Sequence, residues 1–187
     1  MEIKKLIHFI GLIEKLKCNT RHSWTSNGRK ESVAEHSFML AVMAYLVKDE
    51  FPEADIDKVI VMCLLHDFGE AVTGDIPAFE KTADDEMAEE DAVYVLLQEL
   101  PEKQREEMQK LFQEMKEQQT PEAKLYKALD KMEAVLQHNE APIETWLPLE
   151  YELQMKYGEK EVAYSPYLTE LKKQLNEDSQ RKIEQSV

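Results

Sequence analysis

His66-Asp67, followed by Glu70, closes the apolar run Val59-Ile60-Val61-Met62-Cys63-Leu64-Leu65. That run has the composition of a buried helix, where an imidazole beside a carboxylate is costly unless something pairs with them. A divalent metal would do so, and further donors occur in comparable settings. His36 leads into Ser-Phe-Met-Leu-Ala-Val-Met-Ala, and Asp130 lies in Leu125-Tyr126-Lys127-Ala128-Leu129-Asp130-Lys131-Met132. Tyr126, Leu129, Met132 and Leu136 recur at helical spacing, and Asp130 borders their face. Three helices could therefore project His36, His66, Asp67 and Asp130 into one interior point, the way helical bundles build metal sites. Mixed nitrogen and oxygen donors suit Mn, Fe, Co, Ni or Zn better than Mg or Ca. One such ion could lower the pKa of bound water and polarise a phosphoryl oxygen. The plainer alternative is that Lys127 and Lys131 simply pair with Asp130. His8, His22 and His138 are read as ordinary core or boundary residues.

The elements that must position these donors are helices. The chain has only five glycines and seven prolines, strand-like alternation is nearly absent, and the residues that helices favour dominate. The first helix spans about residues 2 to 16, followed by a loop from Lys17 to Glu31. Ser32-Val33-Ala34-Glu35 is a capping box that opens the His36 helix, which stops before Pro52. A third helix runs from about Ile56 to between Asp67 and Gly69, and a short turn carrying Glu70 ends at Gly74. Asp75-Ile76-Pro77-Ala78 reads as an extended turn. Acidic helices follow over about 83–100 and 102–118, broken by Pro101. Thr120-Pro121 starts the Asp130 helix of about 18 residues. From Ile143 onward two shorter helices are expected, with the last ten residues frayed. The fold class is all-α, a helical bundle in one domain over 1–187, with a metal-site core at about 20–140 and C-terminal helices at about 143–180.

Composition narrows the partners. A formal net charge of −15 repels polyanions at long range and argues against a nucleic-acid polymer. A small phosphate ester remains compatible, because a metal and one arginine can reverse the local field. No apolar run approaches the ~20 residues that cross a bilayer, so no membrane partner is expected. The start, Met1-Glu2-Ile3-Lys4-Lys5, reads as an amphipathic helix rather than a signal peptide. Cys18 and Cys63 lack CxxC spacing and read as free thiols in a reducing compartment, so the expected location is the cytoplasm.

Taken in order, Glu35-His36-Ser37, His66-Asp67-Phe68-Gly69-Glu70, Thr73-Gly74-Asp75-Ile76-Pro77 and Ala128-Leu129-Asp130-Lys131 resemble the HD-domain metal-dependent phosphohydrolases. The likeness is greatest to the 5'-deoxynucleotidase branch. Its upstream piece is present as Arg21-His22-Ser23-Trp24 leading into Glu31-Ser32-Val33-Ala34-Glu35-His36, and the resemblance covers residues 1 to about 140. It implies that His36, His66, Asp67 and Asp130 hold one divalent transition metal and that Glu70 handles a proton beside it. It also implies that Arg21 orients the phosphate and that Trp24 packs near the sugar and disfavours a 2'-hydroxyl. Asp75, Ile76, Pro77 and Ala78 would line the nucleoside end, and His36 and Asp67 would also face the substrate. The implied reaction removes the 5'-phosphate from deoxyribonucleoside monophosphates, and the implied assembly is a homodimer. In the best-known bacterial deoxynucleotidases the arginine and tryptophan are adjacent; here two residues intervene, so this loop differs. Two alternatives share the motifs: another phosphohydrolase chemistry of the same fold (a phosphodiesterase or an alarmone pyrophosphohydrolase), and a non-catalytic metal- or nucleotide-binding regulatory module.

Overall fold

The computed structural model describes residues 1–186. Helix α1 (Ile3–Ile13) buries Phe9 and runs on through a 3-10 turn, Glu14–Lys17. The segment expected to be a loop instead contains an antiparallel ribbon of β1 (Thr20–Trp24) and β2 (Lys30–Ser32). Thr20 pairs with Ser32 and Trp24 with Lys30, with an irregularity between the two pairs. The ribbon turns where the Thr25 amide donates to Arg29 O and the Gly28 amide to Thr25 O. Gly28 takes φ +81° there, a conformation that favours glycine. Asn27-Gly28, inside the segment read as a loop, is a hairpin-turn pair that could have revealed it; the polar character of Thr20-Arg21-His22-Ser23 hid the strand.

Helix α2 (Val33–Leu46) begins at the expected capping box. Ser32 accepts from the Glu35 amide, and the Glu35 carboxylate accepts from the Ser32 amide at 2.9 Å. Helix α3 (Ile56–Leu65) is capped by Asp55, and its apolar run buries Val59, Met62 and Cys63. Helix α4 (Glu70–Thr73) is one turn long and ends at Gly74. Helices α5 (Ala83–Leu97) and α6 (Glu102–Glu117) follow, the first opened by a capping box of Thr82 and Asp85.

Helix α7 (Pro121–Glu140) is the axis of the fold, burying Leu125, Leu129, Asp130, Met132, Glu133 and Val135 among other residues. It packs against α2, α3, α6 and the C-terminal helix. The main apolar cluster includes Leu40, Val59, Met62, Leu129 and Leu168. A second cluster joins Phe9, Leu16, Val33, Phe68 and Leu97 beneath α1, α4 and α5.

The C-terminal part departs from expectation. After α8 (Glu150–Lys156) and the single turn α9 (Glu159–Val162), helix α10 (Pro166–Gln185) is 20 residues long and takes in most of the stretch expected to fray. Ser165 caps it, Pro166 occupies its first turn, and Leu168, Leu175 and Ser179 are buried. Lys182 Nζ donates to Asn139 O at 2.7 Å, tying its last turns to α7. Among the described residues, no helix is long and apolar enough to cross a membrane.

Candidate metal centre

Four donors meet where α2, α3 and α7 converge. His36 Nε2 lies 3.3 Å from Asp130 Oδ1 and 4.0 Å from Asp67 Oδ2. His66 Nε2 lies 3.1 Å from Asp67 Oδ2 and 3.8 Å from Asp130 Oδ1. A metal at ordinary ligand distances of about 2.0–2.2 Å sets neighbouring donors about 3–3.5 Å apart, close to this spacing. His36 Nε2, His66 Nε2 and Asp67 Oδ2 are buried without hydrogen-bond partners. Buried polar atoms left unpaired are costly, and these three aim at one point. The donor set therefore fits a divalent cation.

Each donor is held from behind. His66 Nδ1 donates to Cys63 O, 2.8 Å away, and His36 Nδ1 is hydrogen-bonded to the Glu133 carboxylate. Asp130 splits its oxygens: Oδ1 faces the two imidazoles, while Oδ2 accepts from Lys127 Nζ at 2.9 Å. Lys131 Nζ stands 3.7 Å from that oxygen. Asp130 is thus lysine-paired through one oxygen and turned to the two imidazoles through the other.

The electrostatics follow from this packing. Burial opposes the charge on Asp67, but His66, His36 and Arg21 hold its carboxylate well below the usual range. Asp130 is likewise depressed, against burial, by Lys127 and Lys131. Burial and Arg21 work against a charge on His36, yet Glu133 and Asp130 push it up to about 10. Glu70 is pushed up to about 9 by burial and by Asp67 and Asp75, and its Oε2 has no partner.

Arg21 reaches the cluster from β1. Its Nη1 lies 3.6 Å from Asp67 Oδ2 and its Nε 3.4 Å from Glu31 Oε2. Two cavities lie near the cluster, and Arg21 lines the smaller. A cavity of about 570 Å³ is lined by His66, Asp67, Glu70, Lys81 and Lys127, with α5 and α6 supplying much of its wall. A smaller one of about 90 Å³ is lined by Arg21, Asp75, Pro77 and Ala78 together with Phe79. Trp24 and Ile76 line neither. Trp24 carries Lys30 Nζ 4.9 Å from its ring centroid, and its carbonyl accepts from Gln137 Nε2 at 2.7 Å.

Three histidines stay outside the cluster. His8 Nε2 is 3.4 Å from Glu99 at the surface. His22 and His138 flank Glu150, at 2.9 and 3.5 Å. Sequence reasoning missed Glu31, Glu133 and Glu150. Glu133 alone had a signal, standing three residues after Asp130 on one helix face.

Helices that deliver imidazole and carboxylate donors to one buried point, beside an arginine, define a class of α-helical hydrolase that works with a divalent cation. The chain belongs to the HD domain family, whose profile matches residues 13–172. It is 35% identical over 141 residues to the human protein named 5'-deoxynucleotidase HDDC2, covering 73% of this chain and 68% of that one. The Schizosaccharomyces pombe protein named 5'-deoxynucleotidase hdd1 is 30% identical over 140 residues, covering 71% and 70%. A crystal structure titled as a predicted metal-dependent phosphohydrolase from Magnetospirillum magnetotacticum MS-1 superposes with a TM-score of 0.80 at 29% identity, covering 96% of this chain and 93% of the other.

Proposed function

We propose that this protein hydrolyses deoxyribonucleoside 5'-monophosphates to the deoxyribonucleoside and phosphate. The observation that carries the reading is Arg21, whose guanidinium lies 3.6 Å from Asp67 at the edge of the His36, His66, Asp67 and Asp130 cluster. Those four would hold one divalent transition metal (Co, Mn, Zn, Fe or Ni). A bound ion supplies Lewis acidity toward a phosphoryl oxygen and lowers the pKa of water. Arg21 meets the phosphate with a planar fork of donors suited to its oxygens, and the Glu31 carboxylate behind it holds the fork in place. Glu70 handles the proton. Burial, Asp67 and Asp75 push its carboxyl up to about 9, and a cation held by Asp67 would oppose that rise. The same oxygen can thus take a proton from water or give one to the leaving 5'-oxygen. Asp75, Pro77 and Ala78 form the nucleoside end; Ile76, which lines neither cavity, and Trp24, on the strand that carries Arg21, act on it only through their neighbours.

The reading extends to one domain over the chain, to the cytoplasm, and to a homodimer. Apolar side chains left exposed on α1 (Ile3, Ile7, Ile10) and α2 (Phe38, Leu46) support the dimer, which light scattering would register.

Phosphate release from dAMP, dGMP, dCMP, dTMP, AMP and cyclic nucleotides, with Mn or Co added, tests the activity. The expected result is turnover of the deoxynucleoside monophosphates, with AMP slower. Turnover confined to cyclic or pyrophosphorylated substrates would overturn it.

A further inference from the structure

We propose that Glu133 is a positioning residue of the metal centre, acting through His36 and not on the substrate. Its carboxylate accepts the Nδ1 proton of His36, fixes the tautomer that leaves Nε2 free, and strengthens that nitrogen as a ligand. The inference rests on the metal reading above.

Both partners are sealed from solvent, with His36 at 0% and Glu133 at 1% exposure. Asp130 and Glu133 stand one turn apart on α7, and between them they address the two nitrogens of one imidazole from α2. Asp130 Oδ1 faces Nε2 at 3.3 Å, and the Glu133 carboxylate takes Nδ1. One helix therefore grips both edges of a ring that another helix carries. The second ligand imidazole is oriented differently, by the neutral carbonyl of Cys63. Carboxylate and carbonyl both fix a tautomer, but only a carboxylate adds negative charge to the ring and raises its strength as a donor. The two histidines are thus unequal ligands.

Glu133 lines neither cavity beside the cluster, so it has no route to a substrate. Glu31, His36 and Glu133 also bring donor atoms within 4.8 Å of one another, which raises the question of a second ion. The charge there is already answered. Arg21 Nε lies 3.4 Å from Glu31 Oε2, and His36 Nδ1 is committed to Glu133. The acidic pair backs the centre instead of forming another.

Titration calorimetry of the metal-stripped full chain with Co²⁺ tests this, comparing wild type with Glu133→Gln, Glu133→Ala and His66→Ala. Outer-shell partners of metal-bound histidine change affinity by about 10–100-fold. Glu133→Ala is expected to bind Co²⁺ that much more weakly. Glu133→Gln, which can still accept the Nδ1 proton but lacks the charge, should fall between it and wild type. The downfield proton resonance of His36 Nδ1–H should disappear in Glu133→Ala only. Wild-type affinity within twofold in a folded Glu133→Ala overturns the proposal, and if that variant does not fold, the same result in Glu133→Gln does. Failure of wild type itself to bind Co²⁺ overturns the metal reading and this inference with it. Binding by wild type, loss in His66→Ala and no change at Glu133 overturns this inference alone.

Discussion

Glu70 lines the cavity beside the cluster with one oxygen unpartnered, whereas the imidazoles of His36 and His66 are turned to the carboxylates of Asp67 and Asp130. Substitution therefore separates binding from chemistry. Glu70→Gln keeps the size of the side chain and removes its capacity to exchange a proton. Divalent-metal affinity should stay close to wild type while kcat falls by about 10²–10⁴-fold, the usual worth of a positioned general acid or base. Calorimetry and phosphate release on one preparation check both halves, and an unchanged kcat would remove Glu70 from the mechanism. At this scale the sequence was most informative where a costly residue interrupted an apolar pattern: His36, His66, Asp67 and Asp130 all converge. It was least informative for Glu31 and Glu133. A charged residue in a chain this rich in glutamate carries no mark of burial until the partner that justifies it is known, and that partner is distant in sequence.

At the scale of elements, Gly69 explains how α4 comes so close to α5. A methyl group there would sit 2.7 Å from the carbonyl oxygen of Glu89 and 3.3 Å from its carbon. The obstruction is backbone, which cannot swing aside. Gly69→Ala should cost about 1–3 kcal/mol, the usual range for overpacking, read as a lowered urea midpoint. It should also lower activity, because Glu70 and the cavity wall move together. The capping box at Ser32 and the Thr120-Pro121 start were legible because local hydrogen-bonding chemistry fixes them; the matching box at Thr82 and Asp85 went unread. The ribbon and α10 were not legible. The ribbon is polar and draws its order from pairing, and α10 is hydrophilic overall with a narrow buried stripe of Leu168, Lys172, Leu175 and Ser179, whose value depends on its neighbours being there to meet it.

Over the whole molecule, Glu150 joins the C-terminal part to the site-bearing part. Its carboxylate accepts from the Leu147 amide at 2.6 Å and stands between His22 of β1 and His138 of α7. Burial opposes its charge, but His138, the Leu147 amide and His22 hold it down at about 2, against an ordinary 4.5. A carboxyl depressed by folding stabilises fully above its unfolded value and loses that contribution as pH falls through the folded one. Wild type should therefore exceed Glu150→Gln by on the order of 2 kcal/mol near neutrality. The gap should narrow between pH 4.5 and about 2, measured as the difference in denaturation midpoint; a gap independent of pH would rule out this linkage. The one-domain organisation proposed for the chain would depend on such ties, and nothing in the spacing of His22, His138 and Glu150 announced them.

The two tryptophans occupy contrasting places in this architecture. Trp146 is buried against His138, with ring centroids 4.4 Å apart and its indole nitrogen donating to the His138 carbonyl. Trp24 is only half-buried, on the strand that carries Arg21. The natural chain thus contains two optical reporters: a dry indole whose emission follows the integrity of the C-terminal junction, and a wetter one coupled to the ribbon. Loss of fold and rearrangement near Arg21 can be told apart by colour, without attaching a dye.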